Sequence, residues 1–345
     1  MAIEIDRSLP TGAGLDPRPA AARAEERGYA GVWAAEVKHD PFLALTLAST
    51  VTERVDLGTA ITVAFARTPM ALAGTANDLQ NISGGRLLLG LGTQVRAHIT
   101  RRFSMPWSRP AARMREYVLA LRAIWSSWAD GSPLEFAGEF YTHTLMTPMF
   151  VPEPHGFGPP KVLLAGVGEA MTAVAGEVAD GFLCHGFTTE RYIREVTVPA
   201  LERGRGGPLG EDFTLVGAPL VAAGDTEAEL DAALRGARSQ IAFYGSTPAY
   251  RGVLELHGWG ALGERLHELS RQGEWERMTD LVDDDVVNAF AVVGRPSDIA
   301  AELLRRYGDL FDRCSLYAPY QADPDMLDGI AAEVRAAGAG VRHAG

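Results

Sequence analysis

The side chains best suited to chemistry stand just behind short apolar runs. "EVKHDPF" places Glu36, Lys38, His39 and Asp40 together, directly before a proline able to open a helix. His39 is the prime candidate for proton exchange or for orienting a ligand, because an imidazole changes charge near neutral pH. A plainer reading stands beside it, in which Asp40 caps the helix and His39 is a polar loop residue. In "LLAGVGEAM", Gly166, Val167 and Gly168 precede a helix start, where backbone amides can hold an anion. Glu169 would compete there unless its carboxylate is turned away. "CHGFTTERY" adds His185 and the amide of Gly186, which either complete that grip or form an ordinary rim. Thr93 and Gln94 follow "GLG" and can bond a heterocycle edge, with His98 a weaker candidate beyond them. In "GTAITVAFARTP", Thr59, Ala60 and Ile61 either back a flat ring, with Thr62 or a carbonyl supplying polarity, or simply prolong a buried strand.

Other chemistries lack their residues. The 8 histidines form no HExxH, and His143 and His155 are too scattered to specify a metal centre. A GxSxG elbow is missing, and Cys184 and Cys314 are far apart with no CxxC. The glycines at 166–168 carry neither the lysine of a P-loop nor the acidic residue of a dinucleotide fold. A net charge of -12 without a basic run argues against nucleic acid as a partner. With no metal, nucleophile or carboxylate pair in view, a bound redox cofactor is the economical source of chemistry. The N-terminal "MAIEIDRSLP" has no signal-peptide pattern, and no apolar run has the length of a membrane span, so the expected location is cytoplasmic, without a membrane partner.

Strands and helices alternate around these positions. Strands are expected near residues 3–5, 32–33, 55–65, 86–91, 161–166, 181–186, 213–223 and 313–319. Helices are expected over 17–27, 41–52, 69–80, 110–128, 169–179 and 190–202, with a later one capped by Ser297. The fourth strand, "RLLLGLGT", is apolar on both faces until Gly90 and Gly92. Those glycines fit either a tight strand exit or the edge of a binding site. Eight such units favour an α/β fold of the (β/α)8 TIM-barrel type, read as one domain over 1–345. A lid or pocket-wall excursion is expected at 131–160 and a mostly helical insertion at 226–288. A barrel would gather the candidate residues at the C-terminal mouth of its strands.

The assembled stretches "AEERGYAGVWAAE", "VDLGTAITVAFARTPMALAGTANDLQNISGGRLLLGLGT", "VLLAGVGEAMTAVAGEVADGF" and "AVVGRPSDIAAELL" resemble the luciferase-like flavin and deazaflavin oxidoreductases, especially the branch using coenzyme F420. The resemblance implies F420 as cofactor, hydride transfer at the deazaflavin C5, an organic small-molecule substrate and a homodimer. FMN with monooxygenase chemistry is the alternative, and a non-catalytic flavin-binding protein a second. It also implies a non-prolyl cis peptide at Ala60 and Ile61 beneath the central ring, His39 as the loop histidine, and the cofactor's phosphate arm against Gly166, Val167, Gly168, His185 and Gly186. Two departures speak against sugar-phosphate oxidation: Gln94 and Val95 stand where the family's sugar-phosphate dehydrogenases carry a glutamate, and "HGFTTERY" has no lysine.

Overall fold

The computed structural model describes residues 3–10, 12 and 14–341. Eight parallel strands form the barrel wall: β1 Glu4–Ser8, β2 Gly31–Ala34, β3 Asp56–Thr59, β4 Leu87–Gly92, β5 Lys161–Gly166, β6 Gly181–Cys184, β7 Thr214–Gly217 and β8 Arg313–Ser315. The hydrogen-bonded order is β3-β2-β1-β8-β7-β6-β5-β4, and β3 pairs again with β4 through Leu57↔Leu87 and Gly58↔Leu88, closing the ring. The TIM-barrel expectation holds, and all eight expected strands contribute.

The strand pleat sorts "LLLGLG" into two faces. Leu87, Leu89 and Leu91 pack outward beneath the helices. Leu88 points inward to a layer with Trp33, Leu163, Leu183 and Val216. At Gly90 a Cβ would lie 1.9 Å from the Thr59 carbonyl oxygen, and at Gly92 2.9 Å from Ile61 Cγ1. These glycines therefore make room for the end of the neighbouring strand. Inside the barrel, Arg313 bonds Asp6 at 2.8 and 3.0 Å and Asp56 at 2.6 Å, and Asp6 also accepts from Trp33 Nε1 at 2.9 Å. This buried charge set is fully partnered, as burial requires.

The early helices are α1 Arg18–Glu26, α2 Pro41–Ser49, α3 Pro69–Ile82, α4 Arg96–Arg101, α5 Pro110–Asp130 and α6 Glu169–Val178. Prolines open α2, α3 and α5, where a missing N–H costs nothing. Several details depart from expectation. Residues 213–223 are two strands, not one: after Pro219 the chain leaves the barrel, and Leu220–Ala223 pairs in parallel with Ala291–Gly294, a strand the sequence pattern did not announce. The helix expected to be capped by Ser297 is Pro296–Tyr307, with Arg295 at its N-cap and Pro296 at its first position. His98 lies in α4, a short helix the sequence pattern did not announce. A last helix, Pro324–Val341, docks through Asp328, which accepts from Tyr29 Oη at 2.8 Å and Arg23 Nη2 at 2.7 Å.

The segment 131–160 contains a small hairpin, Phe136–Ala137 against Thr142–His143. Its turn is clamped to α5 by Glu116, which accepts from the amides of Glu139, Phe140 and Tyr141 at 2.6–2.8 Å. Helices Glu227–Gly245, Arg251–Leu256, Gly260–Gln272, Trp275–Asp280 and Asp284–Phe290 fill the stretch between β7 and β8. They close their own core around Ile241, Leu254, Leu266 and Phe290, joined by Phe187 and Leu220.

Candidate active site at the barrel mouth

The floor of the mouth is set by the end of β3. The Ala60–Ile61 peptide is cis. Thr59 Oγ1 donates to the Gly90 carbonyl at 2.7 Å, the Ala60 amide to the Ala34 carbonyl at 2.9 Å, and the Glu36 amide to the Ile61 carbonyl at 3.1 Å. Neighbouring strands thus hold the turn from both sides. The Glu36 carboxylate accepts from the Val63 amide at 2.8 Å and from Arg67 Nη1 at 2.7 and 2.8 Å. Arg67 Nη2 reaches on to Asp40 at 2.8 Å, and Asp40 also accepts from the Phe42 amide at 2.9 Å, which makes it the N-cap of α2. Ala60 is left exposed between buried Thr59 and half-buried Ile61, a small apolar shelf facing the mouth. Thr59 and Thr62 are fully buried, so their hydroxyls do not face it.

Above this shelf lies a cavity of ≈ 180 Å³ lined by Ser8, Trp33, Ala60, Cys184, Ser315 and Tyr317 among others. Burial pushes the Cys184 thiol well up from its ordinary range, so it stays protonated and inert. His185 packs against Tyr244 and Tyr250 with ring centroids 4.7 Å away in each case. Burial pulls its pKa down to about 4. Its Nδ1 accepts from the Phe187 amide at 3.0 Å, which leaves the proton of the neutral ring on Nε2. His185 can therefore donate one hydrogen bond without carrying charge. Gly186 backs onto Tyr317, whose Cδ1 would sit 3.1 Å from a Cβ at that position.

The N-terminus of α6 supplies the second donor set. Gly168 is its N-cap and has no side-chain cap bond, so the first-turn amides point outward unclaimed by a cap. Glu169 is turned aside to Arg203 at 2.6 Å, which removes the competition it would otherwise offer an anion. Gly166 and Val167 line a narrow pocket with His185 and Thr188. Gly166, Val167 and His185 are thus brought together around one small pocket, next in the chain to the uncapped start of α6.

Other candidates stand apart. His39 is exposed and lines a separate groove of ≈ 250 Å³ with Pro10, Leu15, Leu43 and Leu47, outside the mouth cavity. Gln94 has φ 58 and folds its Oε1 onto the Val95 amide at 2.9 Å, while Thr93 Oγ1 donates to the Gln94 carbonyl at 2.9 Å. Both polar groups are thereby turned toward their own loop. The sequence pattern names Glu36 beside His39 but gives it no partner, and it does not point to Arg67 or to the tyrosines around His185. Glu36 and Arg67 are far apart in the chain, and only the closed sheet makes them neighbours.

The profile of the family described as luciferase-like monooxygenase matches residues 16–313. The chain belongs to this family. Among relatives of this luciferase-like protein, a Mycobacterium tuberculosis protein described as uncharacterized is 54% identical over 313 residues, covering 90% of this chain and 92% of that one. An F420-dependent glucose-6-phosphate dehydrogenase of Intrasporangium calvum is 27% identical over 336 residues, covering 90% and 91%. Of solved structures, the coenzyme F420-dependent tetrahydromethanopterin reductase of Methanopyrus kandleri superposes with a TM-score of 0.76 at 21% identity over 96% of this chain and 97% of that one. The FMN-bound oxygenating constituent of 3,6-diketocamphane monooxygenase from Pseudomonas putida gives 0.67 at 17% identity, over 97% and 99%. Relatives and structural neighbours are thus named for F420 or for FMN, and the fold is common to both. No described helix of this luciferase-like chain is long and apolar enough to cross a membrane.

Proposed function

We propose that this protein is an F420-dependent oxidoreductase acting on an organic small molecule. The observation that carries the reading is the pairing of an exposed apolar shelf at cis Ala60–Ile61 with uncapped amides at Gly168 and a neutral donor at His185. That set suits a planar ring bearing an anionic side arm. Relatives named for F420 among those of comparable length favour the deazaflavin over FMN. When bound, the deazaflavin would exchange a hydride at C5. The chain's own part is to support the ring on Ala60 and Ile61, hold the phosphate at Gly166, Val167, Gly168 and His185, and exclude water from the apolar cavity. In this reading His39 orients the ring or exchanges a proton, and Thr93, Gln94 and the Gly186 amide border the ligand.

The substrate of the sugar-phosphate relative is not carried over, because Gln94 replaces the acidic residue at the β4 exit and "HGFTTERY" holds no lysine. A homodimer belongs to the same proposal: Leu43, Leu47 and Val51 form an i, i+4, i+8 stripe at 70%, 42% and 40% exposure on and just beyond α2, a face that association would cover. Parallel calorimetric titrations with F420 and FMN test the cofactor. Tighter binding of F420 is expected, and tighter binding of FMN would move the protein to the family's monooxygenase chemistry.

A further inference from the structure

The loop 166–168 is packed at its first residue and open at its last. A Cβ at Gly166 would lie 2.8 Å from Met171 Cγ, in the first turn of α6, whereas a Cβ at Gly168 would meet no atom within 4 Å. Between them, the Val167 carbonyl accepts a hydrogen bond from Tyr192 Oη at 3.2 Å. Tyr192 is 7% exposed, and burial together with the Glu169 carboxylate pushes its pKa up, so the hydroxyl keeps the proton it donates. Among the described residues only the Ala60–Ile61 peptide is cis, which makes Val167–Gly168 trans. In a trans peptide the C=O and N–H point in opposite directions within one plane. A hydroxyl that fixes the Val167 oxygen therefore also fixes the Gly168 N–H, turned away from Tyr192. Among the described residues that amide donates to no backbone carbonyl.

Tyr192 is itself tied to the helical insertion. Its amide donates to Thr189 Oγ1 at 3.1 Å, and the same hydroxyl group bonds His257 Nε2 at 2.8 Å. His257 ends the helix Arg251–Leu256 and stacks on Trp259 with ring centroids 4.6 Å apart. Directly after Tyr192, Ile193–Thr197 forms a π-helical turn. In an α-helix, side chains five residues apart stand roughly 140° apart around the axis. The wider π turn bonds i to i+5 and brings Tyr192 and Thr197 to one face. Both line the small pocket with Gly166, Val167 and His185.

We infer that Tyr192 is a positioning residue of the anion loop: its hydroxyl, acting through the Val167 carbonyl, aims the Gly168 amide at a phosphate oxygen without touching the ligand. The inference rests on the anion site proposed above and adds the device that orients it. The bond to the carbonyl also polarises the peptide, which strengthens its N–H as a donor. Through His257, Thr189 and Tyr192, the helical insertion thereby takes part in anion binding from outside the mouth.

The test compares the full chain with Tyr192→Phe, which keeps the buried ring and removes only the hydroxyl. Both proteins are titrated with F420, with the deazaflavin lacking phosphate and tail, and with inorganic phosphate. In parallel, the Gly168 amide is followed by NMR in glycine-labelled protein, its resonance identified by its loss in Gly168→Ala. Tyr192→Phe should weaken F420 about tenfold, the scale of one hydrogen bond to a charged group, and the tail-less deazaflavin less than about twofold. In the wild type, F420 and phosphate should both move the Gly168 amide proton downfield. An unchanged F420 affinity in Tyr192→Phe overturns the inference, and so does an equal loss for both deazaflavins, since the hydroxyl would then support the mouth as a whole. A Gly168 amide that neither F420 nor phosphate moves in the wild type overturns it without any variant. If the wild type binds neither deazaflavin, yet phosphate moves its Gly168 amide and about tenfold more phosphate is needed in Tyr192→Phe, the cofactor reading falls and the role of Tyr192 stands.

Discussion

Arg67 should matter to the cofactor shelf without touching the cofactor. Its guanidinium spans Glu36, whose carboxylate secures the Val63 amide just after the cis peptide, and Asp40, which caps α2. The Glu36 side chain is only 9% exposed and that of Arg67 20%. Removing one partner of a buried pair costs about 3–5 kcal/mol, because the remaining charge is stranded. With part of Arg67 open to water and the Val63 bond retained, about 2–3 kcal/mol is expected for Arg67→Met. At about 2 °C per kcal/mol in a chain of this size, that amounts to a fall in Tm of about 5 °C. Glu36→Gln keeps an acceptor for Val63 and strands no carboxylate, so it should cost about 1 kcal/mol. The double variant should then be more stable than the sum of the singles implies, with a coupling of at least about 1 kcal/mol. Chemical denaturation of the four proteins measures the cycle, and cofactor titration reads the shelf. Additive effects within about 0.5 kcal/mol, or full cofactor affinity in Arg67→Met, would refute the idea that this ion pair fixes the shelf.

Gly168→Asp meets no atom within 4 Å at its Cβ and places a capping carboxylate on uncapped amides. Stability should rise by a few tenths of a kcal/mol, while a charge about 6 Å from a bound anion, at an effective dielectric of about 40, should cost about 1.4 kcal/mol or tenfold in F420 affinity; unchanged affinity would remove the anion from α6. His185 has its folded pKa lowered to about 4 from an ordinary 6.5, so the unfolded chain takes up the proton first as pH falls. Its contribution to stability is complete above about pH 6.5 and lost on descent toward pH 4, and between pH 7 and pH 5 the wild type should lose about 2 kcal/mol more than His185→Asn in parallel urea titrations. Identical pH dependence of the two proteins would mean that the imidazole is not held neutral. His39→Asn should leave F420 binding measurable yet slow single-turnover hydride transfer once a substrate is found, and an unchanged rate would leave His39 as a residue of the outer groove.

The barrel was legible in the sequence because its strands are buried on both faces, and apolar runs such as "RLLLGLG" and "KVLLAG" then recur at regular intervals between Ala-rich helices. The strand at Ala291–Gly294 escaped because it is four residues following directly on a helix, with no turn signal between them. Pro219 did carry a warning that residues 213–223 could not be one strand, since it interrupts the ladder. At the site, backbone features were easier to foresee than side-chain partnerships. A glycine-bearing helix start announces free amides whatever the tertiary context, so Gly166 to Gly168 could be named in advance. That Glu169 is drawn aside by Arg203, or Glu36 by Arg67, depends on contacts between elements distant in sequence.

The pairing of charges also explains how so acidic a chain can accommodate an anion at α6. Among the described residues there, Arg191, Arg194 and Arg203 are each held by a carboxylate, and the nearest imidazole is kept neutral by burial, so these groups supply little free positive charge. What remains are dipoles: first-turn amides fixed by the helix and one Nε2–H fixed by its bond from Phe187. Such donors need little rearrangement when an anion arrives, and their strength depends less on salt than that of exposed charges. Binding at α6 should accordingly be governed by geometry and nearly insensitive to ionic strength. Titrations of a phosphate-bearing ligand at several salt concentrations check this, and a steep loss of affinity with salt would contradict a grip made of dipoles alone.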